Sequence, residues 1–453
     1  MSATPQRTRK ARRKLLRPAR TIFAGFSAAA ALGAALLSLP IATAESGSAS
    51  FIEALFTAVS ALCVTGLVMV DTPEYWSWFG QLVIAMLIQL GGLGLMTFAS
   101  AVGLALIHRM SLRAKMRAAA ETKSLGMENI RQVVVGVIKI SLTVEAVVFA
   151  ILTIRLQTAY DMAWPEALRQ GAFHAVSAFN NAGFTLFDDS LVAFVADPWV
   201  TLPISAAIIL GGIGFPVIMQ LKKYLRRPLK WTMHTRIVVW GTIMLLAAGA
   251  VFLTAMEWRN PATLGQYDPA TRVLAGFVQS VQLRTAGFHN LDVSAMDTAT
   301  WLGMDVLMFI GGGPAGTAGG IKITTFAVLF FIIVTEIRGD AAVNVFGKRL
   351  ARSVHRQAIS VALVAVALVV ASTGVLMILT EYTMDMVLFE AISAFATVGL
   401  TTGITADLPT AGHLLLVVLM FVGRLGPITF AAALALRERH PHYELPKERP
   451  IIG

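Results

Sequence analysis

Four short segments of the chain carry the same residue types at the same offsets from a glycine. They read "ALFTAVSALCVTGL" (54–67), "GAFHAVSAFNNAGF" (171–184), "AGFVQSVQLRTAGF" (275–288) and "VLFEAISAFATVGL" (387–400). Gly66, Gly183, Gly287 and Gly399 align without a gap, and Phe56, Phe173, Phe277 and Phe389 stand ten residues before them. The position six before is Ser60, Ser177, Val281 and Ser393, and Leu or Phe follows each glycine. Glycine tolerates positive φ and lets another backbone approach closely, so carbonyl oxygens rather than side chains can face a common axis. Four such segments converging on one axis make rings of carbonyls, the chemistry that replaces the hydration shell of a monovalent cation. Glycines that merely allow tight helix packing are the competing reading. That reading explains one motif at a time, and it leaves the second register unexplained. Each segment is followed, 24 to 28 residues on, by a glycine cluster: "QLGGLGL", "ILGGIGF", "FIGGGPA" and "FVGRLGP".

These segments need elements to hold them. About a dozen helical residues cannot cross a bilayer core of roughly 30 Å, and the chain that follows them has no helical pattern. Irregular backbone at that depth is tolerated only where protein buries it or water lines it. The short helices would aim their C-terminal, negative ends at the axis and so favour cations; the four phenylalanines read as core residues wedging them. The chain is thus expected to be an all-α integral membrane protein of four tandem helix–pore loop–helix repeats, about 110 residues each, around a pseudo-fourfold central pore. The expected boundaries are a basic N-terminal tail (1–20), repeat 1 (21–110), a linker (111–131), repeat 2 (132–222), a linker (223–235), repeat 3 (236–338), a linker (339–356), repeat 4 (357–436) and a C-terminal tail (437–453).

Composition agrees on the medium. Of 453 residues, 56% are hydrophobic and 14% charged, and the mean hydropathy is +0.70, far outside the range of soluble domains. Apolar runs long enough to span recur at 22–40, 82–107, 133–156, 200–221, 237–255, 301–334, 358–379 and 414–436. The first run, with its basic leader and "IATAES", imitates a secretory signal. The repeat argues against cleavage, because the first copy needs 22–40 as its outer helix. Of the 37 Lys and Arg residues, 29 fall in five segments that can share one side. By the positive-inside rule that side is the cytoplasm, with both termini there. The net charge of +11 then reflects topology and attraction to anionic membrane lipids, and no nucleic-acid partner is expected. Cys63 is the only cysteine, so no intramolecular disulfide is possible. No enzyme is expected: 311–316 matches G-x-G-x-x-G literally, but no strand precedes it.

Residues 308–326, "MFIGGGPAGTAGGIKITTF", put six glycines and a proline inside one apolar run. Only the third repeat expands its cluster in this way, while "LGGLGL" and "LGGIGF" suggest that some loosening of the inner helix belongs to the common plan. Charges inside the inner helices are functional candidates by default. Arg424 takes the place of Gly92, Gly212 and Gly312 in the fourth cluster. It is expected to act as an electrostatic barrier or loop anchor below the ring, in preference to a structural carbonyl cap. Lys322 fits either a gating role or a side chain snorkelling to the inner surface. Lys139, near Glu145, reads as a snorkelling residue. Arg284 and Asp305 are expected near the outer face, with Arg284 bracing the third loop.

The motifs "CVTGL", "NNAGF", "RTAGF" and "TVGLT", with "GGGPAGTAGGIKITT" and "GRLGP", resemble the Trk/Ktr/HKT superfamily of potassium transporters over nearly the whole chain after the leader. The absence of an extra helix pair before the first repeat makes it more similar to KtrB than to TrkH membrane subunits. The resemblance implies potassium uptake through a carbonyl-lined selectivity filter of Val64, Thr65, Gly66, Asn181, Ala182, Gly183, Thr285, Ala286, Gly287, Thr397, Val398 and Gly399. K⁺ would bind at the filter carbonyls and no cofactor is implied; Na⁺ is the alternative ion. Gly66, rather than serine, matches the potassium-selective pattern of the superfamily. The resemblance also implies a gate, the intramembrane loop of Gly311, Gly312, Gly313, Gly316, Thr317, Gly319 and Gly320, to which Lys322 and Arg424 are added. Its "PAGTAGG" departs from the commoner "G-S-T" spelling, so its gating is expected to differ. Implied partners are a second copy in a homodimer and a cytoplasmic KtrA- or TrkA-like nucleotide-binding ring, with the basic stretches 108–117 and 222–230 as contacts. The implied location is the plasma membrane of a bacterium. A Trk-type or Na⁺-permeable member is the alternative. An ion-coupled secondary transporter would require inverted repeats, whereas these four copies run in one direction.

Overall fold

The computed structural model describes residues 6–45, 47–108 and 130–426. Fourteen principal helices in this span fall into four successive helix, short helix, helix units. The first is α1 (Gln6–Leu37), α2 (Phe51–Cys63) and α3 (Trp78–His108). The second is α4 (Ile130–Tyr160), α5 (Trp164–Asn180), α6 (Pro198–Ile213) and α7 (Phe215–Tyr224). The third is α8 (Met233–Glu257), α9 (Pro269–Gln282), α10 (Thr298–Phe309) and α11 (Ile323–Arg338). A small hairpin of β1 (Asn344–Val345) and β2 (Lys348–Arg349) leads to the fourth, α12 (Arg352–Leu379), α13 (Met384–Ala396) and α14 (Thr410–Leu425). Residues 109–129, which take in the end of repeat 1 and most of the first linker, and residues 427–453, including the end of "GRLGP" and the C-terminal tail, lie outside the described residues.

The short helices α2, α5, α9 and α13 have 13, 17, 14 and 13 residues, so each reaches only about 20–25 Å at 1.5 Å per residue. Local chemistry fixes where they start. Ser50 and Glu53 cap α2 reciprocally, and the Asp268 carboxylate accepts from the Ala270 and Thr271 amides at the head of α9, both satisfying donors that a helix start leaves open. Burial of Phe56 and Phe389 is complete and that of Phe173 nearly so, as expected of wedging core residues. Phe277 is only half-buried, packing at the edge of a second apolar cluster.

The long helices are less regular than the apolar runs suggest. Among the described residues, Val134–Tyr160, Met233–Glu257 and Arg352–Leu379 are long and apolar enough to cross a membrane unbroken. The run expected at 200–221 is instead two helices bent by 102° between Pro198–Ile213 and Phe215–Tyr224. The hinge is Gly214, at φ +90°, where a β-carbon would come 2.5 Å from the Pro314 carbonyl oxygen. The run expected at 301–334 is broken between α10 and α11 by the glycine-rich stretch, as its composition requires. α3, by contrast, continues through Gly91, Gly92 and Gly94 without a break, so loosening at the cluster is not common to all four units. There the glycine removes bulk rather than breaking the helix: a β-carbon on Gly91 would lie 1.8 Å from the Leu62 carbonyl oxygen. Gly211 and Gly423 meet the Phe179 and Phe395 carbonyls in the same way, so each lets an inner helix press against the C-terminal turn of its own short helix.

Glu257 ties the C-terminal end of α8 to the start of α10. Its fully buried carboxylate accepts from Asn260 Nδ2 and Thr263 Oγ1, both at 2.7 Å, from the Asp297 amide at 3.2 Å and from Thr300 Oγ1. Replacing it strands four donors, two of them on the following inner helix and its N-cap. Glu257→Ala is expected to destabilise the protein by about 2–3 kcal/mol, read as a lower thermal-unfolding midpoint in detergent, while Glu257→Gln recovers part of the loss. An unchanged midpoint in Glu257→Ala would show that this junction is held by something else.

Candidate functional site

The short helices α2, α5 and α13 end in the same way, on a left-handed cap, while α9 passes through a right-handed Leu283 before its chain makes the same turn. Val64, Asn181, Thr285 and Thr397, each two residues before a ring glycine, hold left-handed backbone at φ +56°, +59°, +65° and +52°. In three units the next amide reaches back to the helix: Thr65, Ala182 and Val398 donate to the Ser60, Ser177 and Ser393 carbonyls at 2.8 Å. This C-terminal closure turns the chain sharply away from the helix axis. The glycines that follow have φ of +92°, +71°, +76° and +94°.

What those glycines meet defines the site. A β-carbon on Gly66 would lie 2.5 Å from the Ala182 carbonyl oxygen, one on Gly183 2.8 Å from that of Ala286, one on Gly287 2.4 Å from that of Val398, and one on Gly399 2.1 Å from that of Thr65. Unit one thus meets two, two meets three, three meets four, and four meets one. The ring closes. Backbone from four chain segments packs around a single axis at a spacing that admits no side chain, with a neighbour's carbonyl at every contact. All twelve residues expected in the ring are buried there. The hydroxyls of Thr65, Thr285 and Thr397 are buried without a hydrogen-bond partner among the described residues.

The serine six before the glycine has a role that its spacing signalled and its type did not disclose. Ser60 Oγ accepts from the Gly66 amide and Ser393 Oγ from the Gly399 amide, both at 3.1 Å. Ser177 Oγ instead donates to the Phe184 carbonyl at 2.7 Å. In the third unit, where Val281 has no hydroxyl, the Gly287 amide points at the Gln282 carbonyl at 3.4 Å.

Directly beside the ring, the loop between α10 and α11 crosses from the second unit to the fourth. The Gly313 and Thr317 amides donate to the Gly212 and Gly211 carbonyls at 2.8 and 3.1 Å, and Thr317 Oγ1 donates to Asn181 Oδ1 at 2.8 Å. At the far end Gly319 and Gly320 press on Thr397 and Ala396, where a β-carbon on Gly319 would lie 2.0 Å from Thr397 Oγ1. Gly311 donates to the Ile321 carbonyl at 2.8 Å and Gly312 accepts from the Ile323 amide at 3.0 Å, so the two ends of the loop are stitched together. Gly316 packs under the Gly212 carbonyl.

Three cations hold this loop. Arg424, with its guanidinium buried, donates to the carbonyls of Thr317 and of Gly91, the latter at 2.9 Å. It therefore anchors the loop to the first inner helix, and it does so by capping carbonyls, joining two roles that the sequence set against each other. Lys322 Nζ turns back to the Ala318 and Gly319 carbonyls at 2.6 and 3.4 Å rather than reaching the inner surface. Arg284, expected to brace the third ring segment, sends its two terminal nitrogens to the Ile310 and Gly311 carbonyls at 2.8 and 2.7 Å. It braces the start of the glycine-rich loop. Lys139 is exposed, as snorkelling requires, while Glu145 is buried against Ser141 and Gln89, whose Oε1 accepts from Asn180 Nδ2 at 2.7 Å. In the loops that follow the ring, outside the spanning helices, His289 Nε2 lies 3.3 Å from Asp189 Oδ1, and this contact holds the Asp189 carboxyl below its ordinary pKa.

Against known proteins, residues 19–442 match the family described as "TrkH: Cation transport protein". The chain belongs to the TrkH cation transport family. Within the TrkH family it is 39% identical over 428 residues to the Ktr system potassium uptake protein B of Bacillus subtilis, covering 93% of this chain and 94% of that protein. A protein of the same description from Vibrio alginolyticus is 38% identical over 89% of this chain and 88% of its own length. The potassium/sodium uptake protein NtpJ of Enterococcus hirae is 34% identical over 97% of this chain and 98% of its own. The crystal structure of the potassium transporter TrkH from Vibrio parahaemolyticus superimposes with a TM-score of 0.70 over 86% of this chain and 79% of that one, at 16% identity, and so shares the fold. The TrkH fold is an all-α membrane protein of pore-loop repeats, the architecture expected from the glycine register.

The ring yields a direct test. At Gly183, positive φ and a 2.8 Å approach to the next unit's carbonyl oxygen leave no space for a methyl group. Gly183→Ala is expected to abolish transport, whereas Gly25→Ala, at a helical glycine with nothing within 4 Å of the added carbon, leaves it intact. Equal uptake by both variants would remove the ring from the transport path.

Proposed function

We propose that this chain is the potassium-translocating membrane subunit of a Ktr-type uptake system, conducting K⁺ through the glycine ring. The observation that carries this reading is the closed cycle of four backbone contacts, since carbonyl rings of this kind coordinate dehydrated monovalent cations. The names of the most similar relatives support potassium as the ion. The filter is Val64, Thr65 and Gly66 with Asn181, Ala182, Gly183, Thr285, Ala286, Gly287, Thr397, Val398 and Gly399. The loop of Gly311, Gly312, Gly313, Gly316, Thr317, Gly319 and Gly320, held by Lys322 and Arg424, is the gate. The protein works in the bacterial plasma membrane with both termini cytoplasmic, as a homodimer on a cytoplasmic nucleotide-binding ring. The exposed basic stretch 222–230 faces that ring or the lipid headgroups around it.

Sodium permeability is a second reading, favoured by the similarity to a potassium/sodium uptake protein. Both readings are tested by K⁺ and Rb⁺ uptake into a potassium-auxotrophic host at varied Na⁺, with and without a cognate cytoplasmic subunit. Wild type is expected to restore growth at low K⁺, and Gly66→Ser to admit Na⁺. Failure of uptake with the partner present would end the potassium reading. Deleting residues 315–319 is expected to raise flux without altering selectivity; a loss of selectivity would put the loop in the filter and not in a gate.

A further inference from the structure

The ring is fourfold, but its support is not. Nine residues before each ring glycine stand Thr57, His174, Val278 and Glu390, and two residues after stand Val68, Thr185, His289 and Thr401. In units two and four these positions pair: a fully buried polar side chain on the short helix bonds to a threonine on the chain leaving the ring. His174 Nδ1 faces the Gln170 carbonyl at 2.8 Å, which can only accept, so the proton sits on Nδ1 and Nε2 is free to accept. Thr185 Oγ1 lies 2.9 Å from that Nε2 and itself accepts from the Phe187 amide at 3.0 Å. The imidazole is stacked on Phe187 with centroids 4.1 Å apart. In unit four, Glu390 accepts from Thr401 Oγ1 and, at 3.0 Å, from Thr405 Oγ1, while Thr401 Oγ1 accepts from the Gly403 amide at 2.9 Å. The turn is the same in both: hydroxyl to the short helix, amide two residues on to the hydroxyl.

Units one and three lack this pairing, although in unit three the buried Asn290 Nδ2, three residues after the ring glycine, donates to the Ala275 carbonyl of α9 at 3.1 Å. Val278 and Val68 carry no polar atom, the Thr57 hydroxyl has no hydrogen-bond partner among the described residues, and His289 turns outward to Asp189. Since the ring contacts run one, two, three, four, the two braced units stand opposite each other across the axis.

We propose that His174 and Glu390, acting through Thr185 and Thr401, are positioning residues that clamp two opposite filter segments and so set discrimination between K⁺ and Na⁺. The inference rests on reading the glycine ring as the filter. A buried polar network with its bonds satisfied rigidifies what it joins, and a carbonyl cage distinguishes ions by holding its oxygens at a spacing and field suited to one of them. Two opposite braces onto a threonine fix the width of the cage across one diagonal, while the other diagonal has packing alone in unit one and the Asn290–Ala275 bond in unit three.

The test is Rb⁺ uptake and its inhibition by Na⁺ in the potassium-auxotrophic host, for variants that elute as monodisperse protein in detergent. Glu390→Ala and Thr401→Val are each expected to lower the K⁺-over-Na⁺ ratio by about three- to tenfold, with no further loss in the double variant, as for two members of one interaction. Glu390→Gln, which keeps an acceptor, is expected to retain the ratio, and His174→Ala with Thr185→Val to repeat the pattern. Thr57→Val, at the unbraced position, is expected to change nothing. If Glu390→Ala does not yield dispersed protein, the near-isosteric Thr401→Val and Thr185→Val decide. Wild-type ratios in those variants, multiplicative losses in the doubles, or an equal loss in Thr57→Val would each overturn the proposal. Gly66→Ser serves as the reference: a shifted ratio there with none in the brace variants refutes the braces alone, whereas no shift in either refutes the filter.

Discussion

Backbone at membrane depth finds no partner in lipid, so every irregular stretch must be satisfied within the protein or along a water-lined path. The glycine ring is the most demanding case. Its four segments approach until a β-carbon on any one would strike the next one's carbonyl oxygen, and that spacing holds only if each segment leaves its helix at the same height and angle. The left-handed residues at Val64, Asn181, Thr285 and Thr397 supply the angle. The Ser60 and Ser393 hydroxyls, spent on the Gly66 and Gly399 amides, supply the height. The small residues of the inner helices let those helices come close enough to support both.

Among the described residues the loop between α10 and α11 is a large departure from fourfold repetition, and the helices around it are adapted to it. Gly214 bends the second inner helix at the point where the loop's Pro314 carbonyl would meet a side chain. Arg424 replaces the glycine that the other clusters carry, and its guanidinium reaches both the loop and the first inner helix. Asn181 does double duty, turning the chain into the ring and accepting from Thr317 of the loop. Displacing the loop therefore disturbs a residue whose own backbone shapes the ring.

Much of this was legible in the sequence because it is written in backbone requirements. A repeated glycine at a fixed distance from a short apolar helix names a place where only backbone fits, and the four copies announce the symmetry. The inner-helix clusters were harder to read. Glycine serves equally to break a helix and to let one be approached, and Gly91 and Gly214 take opposite roles in nearly the same wording. Long side chains were harder still. Arg284 sits in the motif "RTAGF" beside the ring, but its guanidinium extends past the ring to Ile310 and Gly311, and sequence position fixes where a side chain starts, not where its head lands. The pairing of Glu390 with Thr401 depends on a turn formed only when the segment doubles back, which no local pattern specifies.

Arg284, Lys322 and Arg424 have one further property in common. Every acceptor they use is a main-chain carbonyl, and no carboxylate lies within ion-pair distance of them among the described residues. Rings of main-chain carbonyls are also what monovalent cations seek in a filter. The protein's own cations thus occupy carbonyl oxygens of the kind an ion would take, and on the gate reading proposed above an opening of the loop has the character of a ligand exchange. On that reading the exchange is graded by the local ion concentration, and the permeant ion takes part in the equilibrium of the proposed gate.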